Sequence, residues 1–376
     1  MSRINCGTGK MHCAVFSMIS NKAILIKNIY YMLTYAFQVL KQSNYDEIAS
    51  EEFENIHDLF AAILAKGIAR QLKQGLYREY VTERDNLSVM RGKLEFQGTM
   101  NNKLQRRQML SCEYDELSEN NIFNQILKTT STILIQQPTV SVNHKTALKK
   151  SMLFFGNVDR KEPTCFQWNR LRFEKNNQSY RLLLNICFFV LEGLLLTTEK
   201  GEYKMASFLD EQHMSRLYEK FILEYYRYHY PELRPAASQV AWNLDDGTDD
   251  FLPVMQTDIT LGGAASGGII LIIDAKYYTR TMQVQGQYDS RTLHSNNLYQ
   301  IFTYVKNKDV GNTGKVAGML LYAKPDEAIT PDCDFRMSGN KISVKTLDLN
   351  IAFADIAAQL DQIALTYFSD HTESAT

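Results

Sequence analysis

The stretch Leu252–Tyr278, LPVMQTDITLGGAASGGIILIIDAKYY, decides the fold of the second half of this 376-residue chain. Two β-like runs, about Val254–Leu261 and about Ile269–Tyr277, flank a small-residue turn at Gly262–Gly268. The second run is apolar on both faces until Asp274, the pattern of a central strand covered on both sides. A carboxylate and an ammonium are costly in such a place unless they are paired or bind a metal. Asp274 and Lys276 are two residues apart and project to one face. With the hairpin centred on Ala265, Asp258 falls opposite Ile272, one rung from Asp274 and on its side. Two carboxylates and a lysine then meet at one point. That set suits metal-dependent phosphodiester hydrolysis, with carboxylates for a Mg²⁺ ion and a lysine for the developing charge. A plainer reading of the same residues is a buried Asp274–Lys276 ion pair with Asp258 in the turn.

Upstream, Met214, Leu217, Tyr218, Phe221, Ile222 and Tyr225 are spaced for an amphipathic helix over Glu211–Tyr228, with Asp210 placed to cap it. Glu219 stands at the edge of that stripe, where it is a candidate third acid. The loop Asp245–Asp250, DDGTDD, resembles a calcium loop but lacks the closing glutamate, and so reads as a solvated turn. Downstream comes HSNNLYQIFTYV, a helix on which Gln300 and Tyr304 are four apart and share a face. His294 reads as a substrate contact or as the cap of that helix. The order is helix with Glu, strand with Asp, strand with Asp-x-Lys, helix with Gln-x-x-x-Tyr.

The first half is built differently. Residues 1–20 show no period and are expected to be a flexible leader. Helical periodicity begins at Ile26 and returns over Glu51–Gln74, with Gly75 placed to end the second helix. Residues 76–97 predict a β-hairpin turning at Glu83–Asn86. Helices follow over Glu119–Ile135, after His144, and over Tyr180–Leu196. A junction at Gly201–Leu209 divides the chain into a helical domain, 21–200, with the embedded hairpin, and an α/β domain, 201–376. The predicted class is therefore α+β.

Composition excludes several roles. Lys+Arg at 41 against Asp+Glu at 42 gives a net charge of −1, which rules out a uniformly basic coat for nucleic acid but not a local basic groove. Candidate groove residues are Lys103, Arg106, Arg107, Arg280 and Arg291. Six cysteines without a CxxC pair make neither a zinc ribbon nor a disulfide framework. The run LLLNICFFVLEGLLL is interrupted and shorter than a membrane span, and no secretory signal is evident, so a reducing cytoplasm is expected. GTGK at Gly7–Lys10 and the run Gly311–Lys315 lack the remaining features of a phosphate loop.

The ordered acids, lysine and Gln–Tyr pair resemble the PD-(D/E)XK nuclease superfamily. IKNIYYMLTYAF, RGKLEF, LYEKF, TDITL, IIDAKYY and HSNNLYQ, in that order from about Ile24 to about Phe368, resemble the McrC family, the nuclease subunits of McrBC modified-cytosine restriction systems. In the superfamily's name the first acid follows a proline; here Thr257 precedes Asp258. The resemblance implies that Asp258 and Asp274 hold a metal ion, Mg²⁺ with Mn²⁺ as substitute, and that Lys276 is the catalytic lysine. It implies an acidic partner role for Glu219 and orienting roles for Gln300 and Tyr304. It also implies an McrB-like AAA+ GTPase ring as partner and double-stranded DNA carrying modified cytosine as substrate. The hairpin, with Arg91 and Lys93, is the candidate for reaching that ring and stimulating its GTPase. The competing readings are a non-catalytic GTPase-activating scaffold and a stand-alone repair nuclease of the same superfamily.

Overall fold

The computed structural model describes residues 26–37, 51, 53–174, 177–197, 203–205, 211–248, 250–262, 267–277, 282–285, 290–323 and 331–368. The expected leader, the Gly7–Lys10 run, Arg280 and most of the expected junction lie outside the described residues. The chain divides into two compact units, His57–Ala206 and a discontinuous one made of Met1–Ile56 with Ser207–Thr376. The first described helix, α1, spans residues 26–36. It was expected in the helical domain, yet it belongs to the discontinuous unit.

The inserted unit begins with α2, Ile56–Gln74, whose Ile56, Leu59, Phe60, Ile63, Leu64 and Ile68 are fully buried. Then come β1 (Glu79–Leu87), β2 (Lys93–Leu94), α3 (Phe96–Leu104) and β3 (Leu110–Ser118). These are followed by α4 (Ile122–Gln136), α5 (Val142–Met152), α6 (Tyr180–Phe188) and the short strands β4 (Leu195–Thr197) and β5 (Tyr203–Met205). Asn121 and Ser141 accept the backbone N–H groups of Asn124 and His144 and so cap α4 and α5. The expected hairpin is instead a three-stranded sheet in the order β1-β3-β2. Glu83–Asn86, expected as the turn, is the middle of β1. Its polar residues are held extended by cross-strand partners rather than by a turn, with Thr82 donating to Asp115 at 2.9 Å and Arg84 to Glu113 at 2.7 Å. Phe96 and Gln97, expected to end the hairpin, instead open the helix Phe96–Leu104, which Glu95 caps by accepting the N–H of Gln97 and of Gly98.

The discontinuous unit continues with α7 (Glu211–His229), β6 (Gln239–Val240), β7 (Met255–Gln256), β8 (Ile259–Gly262) and β9 (Ile270–Lys276). It is completed by β10 (Met282–Gln285), β11 (Ser290–Leu293), α8 (Ser295–Lys308), β12 (Val316–Ala323), β13 (Cys333–Met337), β14 (Asn340–Leu347) and α9 (Phe353–Phe368). Its main sheet runs β13-β14-β12-β9-β8. β9, β12 and β14 are parallel, and the flanking β8 and β13 are antiparallel to their neighbours. β12 is buried along its whole length, as a central strand covered on both faces must be. On one face α8 packs through Ile301, Tyr304 and Val305 against Ile272, Leu320 and Ile342. Gly318 permits the approach, since a Cβ there would stand 2.8 Å from Ile301 and Val305 side chains. α7 and α9 are bonded to each other, Tyr226 donating to the Leu360 carbonyl at 2.9 Å and Tyr225 to Asp361 at 2.7 Å. α1 joins them. Tyr31 stacks on Phe353 at 4.4 Å, Tyr35 is within hydrogen-bond distance of His229 Nε2 at 2.9 Å, and Asn28 donates to the carbonyls of Leu349 and Ile351. No helix among the described residues is long and apolar enough to cross a membrane.

Candidate active site

The expected first strand of the hairpin is broken. β7 ends at Gln256 and β8 begins at Ile259. Between them Thr257 is pinned to the Ser238 backbone, donating through its N–H at 2.9 Å and through Oγ1 at 3.0 Å. The break releases Asp258 from the strand pleat, and its Oδ2 accepts the backbone N–H of Ala275 at 2.9 Å. The register also differs from the expected one: Thr260, rather than Asp258, faces Ile272, and Ile259 faces Ile273. The pairing is centred one residue later, which carries Asp258 past the last rung to the level of Asp274, so the two carboxylates are closer than a hairpin centred on Ala265 would bring them. Gly267 and Gly268, with φ of 65° and 82°, supply the left-handed turn residues that this needs.

Asp274 is 1% and Lys276 15% exposed at the side chain. Lys276 Nζ donates to Asp274 Oδ1 at 3.0 Å and lies 2.9 Å from Oδ2. Oδ2 is buried, with the Lys276 ammonium beside it. Burial pushes the Asp274 carboxyl well above the ordinary range; Lys276 opposes this and Asp258 adds to it. Burial raises Asp258 as well, against the pull of Lys276 and the Ala275 N–H. One ammonium therefore serves two desolvated carboxylates, which leaves the cluster short of positive charge.

Glu219 lies within electrostatic reach, on α7. Burial and then Asp258 raise its carboxyl, whereas Ser215, Lys276 and Arg216 lower it. Its Oε1 accepts from Ser215 Oγ at 3.0 Å. Among the described residues no group of three His, Cys, Asp or Glu side chains comes together tightly enough to enclose an ion. Two desolvated aspartates that share one lysine fit a hard cation that keeps several waters, as Mg²⁺ does, and do not fit a closed zinc site.

On α8, Gln300 Nε2 donates to Tyr304 Oη at 2.8 Å. Tyr304 packs against Ile272, which shares the face of β9 that carries Asp274 and Lys276. His294 holds the cap position of α8, but its side chain makes no capping bond. Sequence reasoning missed Asn297 and Tyr322, a buried pair at 3.0 Å between α8 and β12. The only signal was the polar Asn297 one turn before Gln300.

The remaining candidates lie elsewhere. Arg91 sits 4.0 Å above the Tyr114 ring and 3.3 Å from Glu116, and Lys93 is exposed opposite Glu113 in the β2–β3 register. Lys103, Arg106 and Arg107 are exposed at the end of α3, and the Arg291 side chain lies outside the described residues. In the Gly311–Lys315 run, the Thr313 and Gly314 N–H groups are taken by Asp309, each at 2.9 Å, so the loop binds its own carboxylate.

Comparison with known proteins gives the family. The chain is 28% identical over 333 residues, 87% of its length and 93% of the relative's, to the Type IV methyl-directed restriction enzyme EcoKMcrBC of Escherichia coli (strain K12). Among solved structures it is similar to a half-complex from the tetradecameric assembly of Thermococcus gammatolerans McrB AAA+ hexamers with bound McrC. That match has 17% identity and a TM-score of 0.49, and covers 90% of this chain and 76% of the other. A cryo-EM structure of the Thermococcus gammatolerans McrBC complex matches at 19% identity and a TM-score of 0.38, over 54% of this chain and 58% of the other. Residues 10–323, most of the chain and all of the acid–lysine cluster, match the family described as McrBC 5-methylcytosine restriction system component, and to that family this chain belongs.

Proposed function

We propose that this chain is the endonuclease subunit of a GTP-dependent restriction complex. It cuts double-stranded DNA carrying modified cytosine, and its catalytic domain is of the PD-(D/E)XK type. The observation that carries the reading is the convergence of Asp258, Asp274 and Lys276 at the end of β9, where one ammonium serves two desolvated carboxylates. Asp258 and Asp274 would hold Mg²⁺, or Mn²⁺ in its place. Bound there, the ion supplies Lewis acidity toward the phosphate and lowers the pKa of a coordinated water. Lys276, already beside Asp274, orients the nucleophile and balances charge developing on the phosphate. Glu219 acts from the rim. Gln300 and Tyr304, bonded to each other, orient the α8 side of the cluster.

Specificity for the modified base comes from the partner, an McrB-like AAA+ GTPase ring, and this chain adds a local cationic groove. That assignment agrees with a net charge of −1. Among the described residues of the inserted unit His57–Ala206 no acid–lysine cluster of this kind is present, and this unit serves assembly. Its exposed β1–β3 sheet carries Arg91 and Lys93 toward the GTPase, where cations stabilise phosphoryl-transfer charge. The deciding experiment measures GTP turnover and nicking of modified DNA in parallel, using the full chain with its partner. Lys276→Ala should keep GTPase stimulation and lose cleavage. Cleavage that persists in this variant would place the chemistry elsewhere, and loss of both activities would return the cluster to a structural role.

A further inference from the structure

We propose that Asn297 and Tyr322 are positioning residues that set the register of α8 on the sheet, and thereby the placement of Gln300 and Tyr304 relative to Lys276. The proposal rests on the nuclease reading above. Tyr322 lies on β12 directly beside Lys276 of β9, and Leu320 beside Asp274. Paired residues of a parallel ladder point to the same side, so Tyr322 shares the face of the acid–lysine cluster. Asn297 Nδ2 donates to Tyr322 Oη at 3.0 Å with both side chains buried. Asn297, Gln300 and Tyr304 are spaced three and four apart and form one row along α8.

On its core side Tyr322 belongs to an apolar cluster with Ile272, Ile301, Val305, Leu320 and Ile342. A leucine and a phenylalanine would fill the same space without desolvating an amide and a hydroxyl. A buried polar pair in such a place selects one arrangement among several that apolar packing tolerates. The close approach at Gly318 fixes how near α8 lies to the sheet but not where it sits along its own axis. A slide of one turn, about 5.4 Å, would preserve an apolar face and break the Asn297–Tyr322 bond. The bond is thus a register pin one turn before Gln300.

The test compares Tyr322→Phe, Asn297→Leu and the double variant with the unchanged chain, each full-length with its GTPase partner. Melting temperature, DNA binding, GTP turnover, and kcat and KM for cleavage are measured. Each single variant strands one buried polar group and melts earlier. The double variant removes both ends of this bond and regains part of the loss. Cleavage is expected to fall about tenfold to a hundredfold in all three, in kcat rather than KM, because misplacement acts on the reacting geometry. DNA binding and GTP turnover should be unchanged. Recovery of cleavage in step with melting temperature in the double variant would make the pair merely structural and overturn the inference. If the double variant does not regain stability, Tyr322→Phe assayed well below its melting point decides, with full kcat overturning the inference and reduced kcat at unchanged DNA binding supporting it. Failure of the unchanged chain to cleave would overturn the nuclease reading first, and this inference with it.

Discussion

Asp258 and Ala275 are joined by a 2.9 Å hydrogen bond from the strand backbone to the carboxylate, across the break between β7 and β8. The bond holds one desolvated carboxylate beside another. Asp258→Asn keeps an acceptor for that N–H and removes a negative charge. Cleavage should fall about a thousandfold, corresponding to several kcal/mol of lost transition-state stabilisation. The metal-free melting temperature should hold or rise, because like-charge repulsion with Asp274 is relieved. Thermal melts in EDTA, run beside nicking assays, check both halves.

Divalent cations should act on the chain before any chemistry. Mg²⁺ or Mn²⁺ is expected to raise the melting temperature of the unchanged protein, since a ligand at about one hundred times its Kd stabilises by about 2.7 kcal/mol. The rise should vanish in the Asp258→Asn, Asp274→Asn double variant. Ca²⁺ should support DNA binding but little cleavage, given its looser coordination and weaker acidification of water. A melting curve indifferent to Mg²⁺ in the unchanged chain would argue against the ion.

Asn28 is a second test of architecture. Its amide serves the Leu349 and Ile351 carbonyls at 2.7 and 2.8 Å from a position only 2% exposed. Asn28→Ala strips both acceptors and should cost about 2–4 kcal/mol, read as a fall in the denaturation midpoint. A chain beginning at Ser20 keeps α1 and should fold. A fragment beginning at Gly201 lacks α1 and should be aggregated or molten by near-UV circular dichroism.

Acid should act through Asp309. Burial alone would raise its carboxyl, but bonds from Asn340, Thr313 and Gly314 outweigh this and hold it at about 2. A carboxyl lower in the folded than in the unfolded chain contributes stability that is fully present above the unfolded value near 3.9 and lost as pH falls through about 2. Asp309→Asn should therefore lose stability at neutral pH and flatten the part of the acid-unfolding curve between about pH 4 and pH 2. Urea midpoints across that window measure it.

The parts of this molecule that were legible in the sequence are those whose signal is local. The apolar run of β9 announced a central strand, Asp274 and Lys276 announced their common face, and the stripes of α7 and of α8 with its Gln300–Tyr304 pair were readable from spacing alone. What escaped depends on partners distant along the chain. Glu83–Asn86 reads as a turn until β3, about thirty residues on, pairs with it. The break at Thr257 is invisible without the Ser238 backbone that makes it. α1 has the periodicity of any amphipathic helix, and nothing within it says that its apolar face is shared with Phe221 and Phe353.

The insertion of His57–Ala206 into the other unit has a mechanical consequence. A body hung from a single linker swivels freely and transmits only tension. This one is spliced in at both ends, so the chain enters it from the side of α1 and returns toward α7, two helices that share the Tyr35–Tyr225 contact. Both connections to the insert therefore lead to helices that hold each other, and the Tyr35–Tyr225 contact closes the whole insert into one long loop of the chain.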